Sequence, residues 1–200
     1  MPLVTAHKAF PHFFNVLKNN PVLLTPRAED VFRQGVPRWI SRPYRFTGTG
    51  SVVSGARFSV KGLMPRLYGS TELATMAAEA YYKSQRAGWT PAQFQPQLTI
   101  HMRWELQAVV DLMQAATLNA LGVTTNDIVT CDWEKEQTAW LEPVTQAIAR
   151  AAFENLAEGL VVPSARRTGG LNMVYYPSHR RDGTVIHTLD EAAIPFMPGL

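Results

Sequence analysis

Cysteine is almost absent, with Cys131 the only one in 200 residues. A single thiol excludes an internal disulfide framework and a cysteine-rich metal site, fits a reducing compartment, and reads as a buried inert group. Charge is sparse too. Asp, Glu, Lys and Arg make up 18 % of the chain, below the roughly 25 % usual for soluble domains, which leaves apolar surface for a partner. Long hydrophobic runs are also missing: Lys18, Asn19, Asn20 and Pro21 cut short the stretch Phe13-Phe14-Asn15-Val16-Leu17. Residues 1–24 therefore lack the unbroken apolar segment, basic head and small-residue cleavage site of a signal peptide, and no segment approaches a membrane span. Cytoplasmic residence and no membrane partner are the expectations.

What is present suits one folded domain. At 200 residues and 46 % hydrophobic content, the chain is long enough to bury about 70 % of its unfolded surface in one core. No repeat or low-complexity tract divides it. The organisation expected is an N-terminal extension over residues 1–41, packed on a main domain over 42–200. The apolar group Phe10, Phe13, Phe14 and Leu17 in the extension reads either as core or as a protein interface.

Within the main domain Leu63, Leu67 and Tyr68 suggest a short strand, and Ser70-Thr71-Glu72 opens a helix. Leu73, Met76, Ala77, Ala80 and Tyr81 recur at helical spacing up to Gly88. Two strands are expected over 97–104 and 106–112, then a helix from Pro143 to a stop at Gly159. Leu160-Val161-Val162, Met173-Val174-Tyr175-Tyr176 and Thr184-Val185-Ile186 complete the strands. Strands and helices in irregular alternation predict an α+β fold with mixed sheets, not a doubly wound sheet.

Several polar residues in this framework can carry chemistry. Arg45 and Arg57 offer planar donor forks that match phosphate oxygens in pairs, and the intervening Thr47-Gly48-Thr49-Gly50-Ser51 permits close backbone approach. Surface ion pairs are the plain alternative. Glu79 shares a helical stripe with Glu72, Thr75 and Arg86 and lies four residues before Lys83, so it reads as a solvated face or as a carboxylate lining a cleft. In a cleft it can meet a ribose hydroxyl and the positive charge that develops as a glycosidic bond breaks. Tyr68 can stack on a base, or pack in the core with its tip bonded. Ser164 follows an apolar strand and Pro163, where its hydroxyl can donate to a ligand or close a turn. It lacks the strained turn of a nucleophilic serine. Arg166, Arg167, His179, Arg180 and Arg181 form a basic group that can face phosphates or solvent.

In order, Tyr44-Arg45, Gly55-Ala56-Arg57-Phe58-Ser59, Leu67-Tyr68, Glu79 in an alanine-rich helix, and Val162-Pro163-Ser164-Ala165-Arg166 before Gly170-Leu171-Asn172 resemble the RES domain family, named for Arg, Glu and Ser. The resemblance spans roughly residues 42 to 180. It implies a single domain with mixed sheets like the ADP-ribosyltransferase fold, and a toxin that takes NAD as substrate, with no cofactor or metal. Glu79 and Arg45 are the implied catalytic residues, and Arg45, Arg57, Tyr68 and Ser164 the implied NAD-binding set. The implied reaction is cleavage of the nicotinamide–ribose bond by an NAD glycohydrolase or NAD phosphorylase, with water or phosphate as acceptor; protein ADP-ribosylation is the alternative. A cognate antitoxin protein is the implied partner. Phe58 and Ser59 depart from the tryptophan and asparagine usual there, while Asn172 matches the later pattern. From another class, a non-enzymatic basic nucleic-acid-binding module stays open, although no helix-turn-helix, zinc-finger or RNA-binding signature supports it and direct nucleic-acid contact is not expected.

Overall fold

Alternating apolar residues and turn signals produce six strands and six α-helices among the described residues. The computed structural model describes residues 4–35, 40, 44–48, 51–52, 55–86, 88, 90 and 98–192. In chain order these elements are α1 (Phe10–Asn19), β1 (Leu24–Gly35), β2 (Leu67–Ser70), α2 (Leu73–Arg86), β3 (Leu98–Asp111), α3 (Ala115–Leu121), α4 (Thr125–Thr130), α5 (Trp133–Thr138), α6 (Val144–Glu154), β4 (Gly159–Pro163), β5 (Leu171–Tyr175) and β6 (Val185–Ala192). The helix expected to run to Gly159 ends at Glu154, and Asn155, Leu156 and Ala157 turn the chain into β4.

The strands form one mixed sheet in the order β1-β2-β5-β4-β3-β6, and β1 also pairs with β3. Five strands thus return on themselves, with β6 carried on the side of β3 that faces away from β1. Only β3 and β4 run parallel; the other pairs are antiparallel. The N-terminal 41 residues, expected as an extension packed on the domain, supply β1, which pairs with β3 from Leu24↔Val110 to Gly35↔Leu98.

One long strand replaces the two expected between 97 and 112. Register passes from Arg27↔Leu106 to Thr25↔Val109, so β3 carries one extra residue against β1. That bulge explains the change of apolar phase. Before it, Ile100, Met102, Trp104 and Leu106 fill a strand-built cluster with Val31, Leu67, Val161 and Met173. After it, Val110 and Leu112 enter a second cluster built with helical residues, among them Phe13, Leu17, Leu121, Ile128 and Ile148.

Glu158 holds the bulge. Its Oε2 accepts the backbone N–H groups of Gln107 and Ala108, and its Oε1 accepts from the Arg181 N–H and the Thr184 hydroxyl. The side chain is fully buried, so these charge-assisted donors stand in for water. The next residue, Gly159, sits where a Cβ would fall 2.1 Å from the Val174 carbonyl oxygen, so only glycine admits the β4–β5 approach there.

The helices cover the second cluster. Phe13 and Leu17 of α1 are buried, while Phe10 and Phe14 pack against the same cluster, which places this apolar group in the core. Buried Glu142 receives both Arg150 Nε at 2.7 Å and Nη2 at 2.8 Å, and that guanidinium lies 3.2 Å from the Phe10 ring centroid. Thr124 and Asp127 form a capping box at the start of α4. Cys131 is buried, and desolvation pushes its thiol above the ordinary cysteine range. Among the described residues no helix is long and apolar enough to cross a membrane.

Glu158→Gln removes one charged acceptor and sets an amide NH₂ against donors. The expected loss is about 3 kcal/mol of unfolding free energy, read by chemical denaturation; an unchanged midpoint would contradict the role given to Glu158.

Candidate active site

Helix α2 forms because its alanines and apolar residues recur at helical spacing, and it brings Glu79 to the sheet end where β2, β4 and β5 meet. Thr75, on the stripe that reads as solvated in the sequence, is fully buried. The stripe faces the loop between β4 and β5. Arg167 Nη1 donates to Thr75 Oγ1 at 3.1 Å and pairs with Glu72, while the Arg166 guanidinium lies 3.2 Å from the Tyr82 ring centroid. Gly170 closes this approach, since a Cβ there would meet Thr75 Oγ1 at 2.6 Å. Arg86, further along the helix, pairs with Glu134 at 2.5 Å. The side chain of Lys83, which the sequence sets beside Glu79, lies outside the described residues.

Glu79 is fixed through one oxygen. Ser164 Oγ donates to Glu79 Oε1 at 2.7 Å, and Asn172 Nδ2 donates to the same atom at 2.9 Å. Asn172 is oriented in turn by Ser70, whose hydroxyl donates to Asn172 Oδ1 at 2.6 Å. These two residues are register partners on β2 and β5, so strand pairing sets the amide direction. Ser164 Oγ also accepts the N–H groups of Arg166 at 3.1 Å and Arg167 at 3.2 Å. Its single proton is therefore directed to Glu79. Glu79 Oε2 has no hydrogen-bond partner among the described residues, which leaves one carboxylate oxygen placed but uncommitted.

Tyr68 stands among charges. Desolvation pushes its phenol well above the ordinary tyrosine range, and the Glu79 charge acts in the same direction. Arg66, Arg57 and Arg166 act against both. Three guanidinium groups against one carboxylate give the surroundings of this neutral phenol an excess of positive charge, a field suited to an anionic ligand.

The arginines expected from sequence separate. Arg57 stays near Tyr68, and its Nη1 is fixed by the carbonyls of Ile128 at 2.8 Å and Cys131 at 3.0 Å at the end of α4. Arg45 is not brought to Glu79 by any contact. It is 5 % exposed, and its guanidinium donates to the Ile40 carbonyl at 2.9 Å, to Thr188 Oγ1 at 3.2 Å and to Glu191. Those bonds fasten β6 to the segment after β1. Phe58 is buried in the helical cluster, and Ser59 donates to the Met64 carbonyl at 3.1 Å, so this pair supports the backbone near Arg57. The Tyr44 side chain, Thr49 and Gly50 lie outside the described residues.

The basic group at the C-terminal third also divides. Arg166 and Arg167 engage α2, whereas His179 stacks near Phe153 at 4.1 Å and Arg181 binds the Leu156 carbonyl at 2.9 Å. Residues to which the sequence gives no individual role in the site are Arg66, Ser70 and Asn172, whereas Arg166 belongs to the basic group read as able to face phosphates. Asn172 was visible as part of a pattern. Ser70, read in the sequence as the opening of a helix, ends β2, and neither it nor Arg66 signals a part in the site, because that part comes from strand neighbours distant in sequence. No group of three or more metal-binding side chains occurs among the described residues.

Comparison with known proteins agrees with this architecture. A chain of the crystal structure of the M. tuberculosis MbcT-MbcA toxin-antitoxin complex superposes with a TM-score of 0.71 at 18 % identity, over 92 % of this chain and 92 % of that one. That likeness shows the same fold. No curated protein matches the chain. The model of the RES domain family matches residues 29–196, a span that holds β2 to β6, most of β1 and every residue of the site, and on that match the chain belongs to the RES domain family.

Proposed function

We propose that this protein is a toxin that consumes NAD by breaking the bond between nicotinamide and ribose. The observation that carries the reading is Glu79: one carboxylate oxygen is immobilised by Ser164 and Asn172, and the other has no partner among the described residues, close enough to Tyr68 for the carboxylate to act on a phenol that Arg66, Arg57 and Arg166 also act on. The family resemblance supplies the substrate. The chain's own residues supply a negative group at the place where a cation would form and positive groups for phosphates.

In the proposed reaction the C1′–N bond of NAD lengthens and its electron pair passes to the pyridinium ring, which leaves as neutral nicotinamide. Positive charge moves onto C1′ and the ring oxygen of the ribose. The uncommitted Glu79 oxygen binds a ribose hydroxyl and opposes that charge as it grows, so the interaction strengthens in the transition state. Water then forms the new bond to C1′ and loses one proton to solvent, giving ADP-ribose; a phosphate oxygen in its place gives ADP-ribose phosphorylated at that same carbon. Preorganisation matters here because a carboxylate already held by two donors needs little rearrangement. Tyr68, kept neutral, offers a flat apolar face and a hydroxyl to the ligand. Arg57 and Arg166 contribute charge for the diphosphate, and Ser164 acts through Glu79.

The likeness to a chain of a toxin–antitoxin complex supports a partner protein that restrains the activity. A cytoplasmic enzyme that drains NAD would harm its own cell without one.

The purified chain should release nicotinamide from NAD, with mass spectrometry identifying the acceptor when phosphate or protein is present. Intact NAD in the presence of folded protein that binds it would defeat the reading. Glu79→Gln should lower kcat by about 10²–10³-fold with little change in NAD affinity; a fully active variant would remove Glu79 from the chemistry. Gly170→Ala should push the β4–β5 loop from Thr75 and reduce turnover while the protein stays folded, as circular dichroism alongside the assay would reveal. In cells, expression of the wild type should arrest growth and coexpression of the neighbouring gene's product should relieve it. Growth unaffected by a soluble, NAD-cleaving chain would separate the enzyme from the toxin reading.

A further inference from the structure

Arg66 is a buried cation with no counter-charge among the described residues. It stands just before β2 and shares a strand face with Tyr68, so its guanidinium lies over that ring, 5.2 Å from the centroid. The residue is 8 % exposed. Its backbone is fixed by Ser51, whose Oγ accepts the Arg66 N–H at 2.9 Å, and by Gly48, where a Cβ would fall 2.5 Å from the Arg66 nitrogen. At φ +67° and with that contact, Gly48 lets the preceding turn press directly on the strand.

The Arg66 guanidinium differs from its neighbours in that, apart from the Tyr68 ring, no partner holds it among the described residues. Arg45 has Glu191, Arg33 donates to the carbonyls of Tyr68 and Arg45, Arg57 donates to the carbonyls of Ile128 and Cys131, and Arg166 lies over the Tyr82 ring. Among the described residues, the Arg66 guanidinium has neither an ion pair nor a hydrogen bond, and its buried Nε has no partner. Desolvation lowers its pKa, and the charges of Arg66 and Arg45 help burial push that of Arg33 down to about 10. A buried charge without a partner is strongly destabilising, so its persistence points to a ligand.

We propose that Arg66 is an anion-binding residue of the active site and that it grips the diphosphate of the dinucleotide. This inference rests on the NAD-cleaving reading given above. A phosphate suits the geometry because the guanidinium fork matches two phosphate oxygens and its position over Tyr68 places the anion beside the aromatic platform. Charge agrees in sign: Arg66, Arg57 and Arg166 all act on the Tyr68 phenol, and buried Arg33 lies beside Arg66, so an anion there meets cations. The phosphate role that sequence order gives to Arg45 thus falls to Arg66, since Arg45 already has a carboxylate.

The test compares the full-length wild type with Arg66→Met and Arg66→Lys. Calorimetry with ADP and with inorganic pyrophosphate reads anion binding directly, and steady-state nicotinamide release reads KM and kcat. Arg66→Met should weaken pyrophosphate and ADP binding and raise KM for NAD about ten- to hundredfold, with kcat within a few-fold of wild type. Arg66→Lys should recover part of the affinity. Because an unpaired charge is removed, the Tm of Arg66→Met should equal or exceed that of wild type, whereas a structural arginine would give a lower Tm and overturn the proposal. Unchanged KM and anion binding in Arg66→Met would overturn it too, and so would a wild type that binds neither ADP nor pyrophosphate, while NAD cleavage itself stood. Arg66-dependent pyrophosphate binding with no nicotinamide release would instead overturn the NAD-cleaving reading and leave Arg66 as an anion site.

Discussion

Glu158 sits where the sheet must turn, and its buried carboxylate accepts hydrogen bonds from Gln107, Ala108, Arg181 and Thr184. Without it the extra residue of β3 would leave two N–H groups buried with no partner, a cost that grows in a low-dielectric interior. With it, the residues of β3 that face the strand-built cluster change from Ile100, Met102, Trp104 and Leu106 to Val109, and Val110 and Leu112 turn to the helix-covered cluster. That change of side lets one strand pair with β1 along its length and still reach both β6 and β4. The closed arrangement of five strands follows, and with it the sheet end where the site is assembled.

The site uses the same device on its rim. Glu79 lies on a helix, but what fixes it belongs to the sheet: Ser164 at the end of β4, and Asn172 on β5 oriented by Ser70 on β2. Each donor is held by backbone pairing or by loop N–H groups, so the carboxylate position is set by hydrogen bonds from the sheet and its β4–β5 loop. Gly170 and Arg167 bring the β4–β5 loop onto α2, which makes the helix part of the site wall and not only its covering. A charged group anchored through one oxygen retains the other for a ligand.

Charge around the site is unevenly compensated, and the unevenness separates structural arginines from those available to a ligand. Arg45 and Arg150 each have a carboxylate and hold elements together. Arg57 and Arg66 have none among the described residues, and both act on the Tyr68 phenol. The bonds of Arg57 to the carbonyls at the end of α4 hold its guanidinium in place while adding no countercharge, because a carbonyl dipole positions a cation without neutralising it.

Local chemistry in the sequence determined α2, β2, β4, β5 and the α+β class, since helical spacing, short apolar runs and turn residues act over a few positions. Order along the chain also marked Arg57, Tyr68, Glu79 and Ser164; the structure bonds Ser164 to Glu79 and sets Glu79 and Arg57 within electrostatic reach of Tyr68. The length of β3 and the place of β1 were not legible. A bulge looks like a break between two strands until its partner strand is known, and β1 alternates too weakly to announce that it lies inside the sheet. Tertiary structure alone decided which arginine has a carboxylate: Arg45 meets Glu191, 146 positions later, while Arg66, which nothing in the sequence singles out, has none among the described residues. Ion pairing depends on distances between side chains that only folding brings together, so the residue type was written in the sequence and its availability was not.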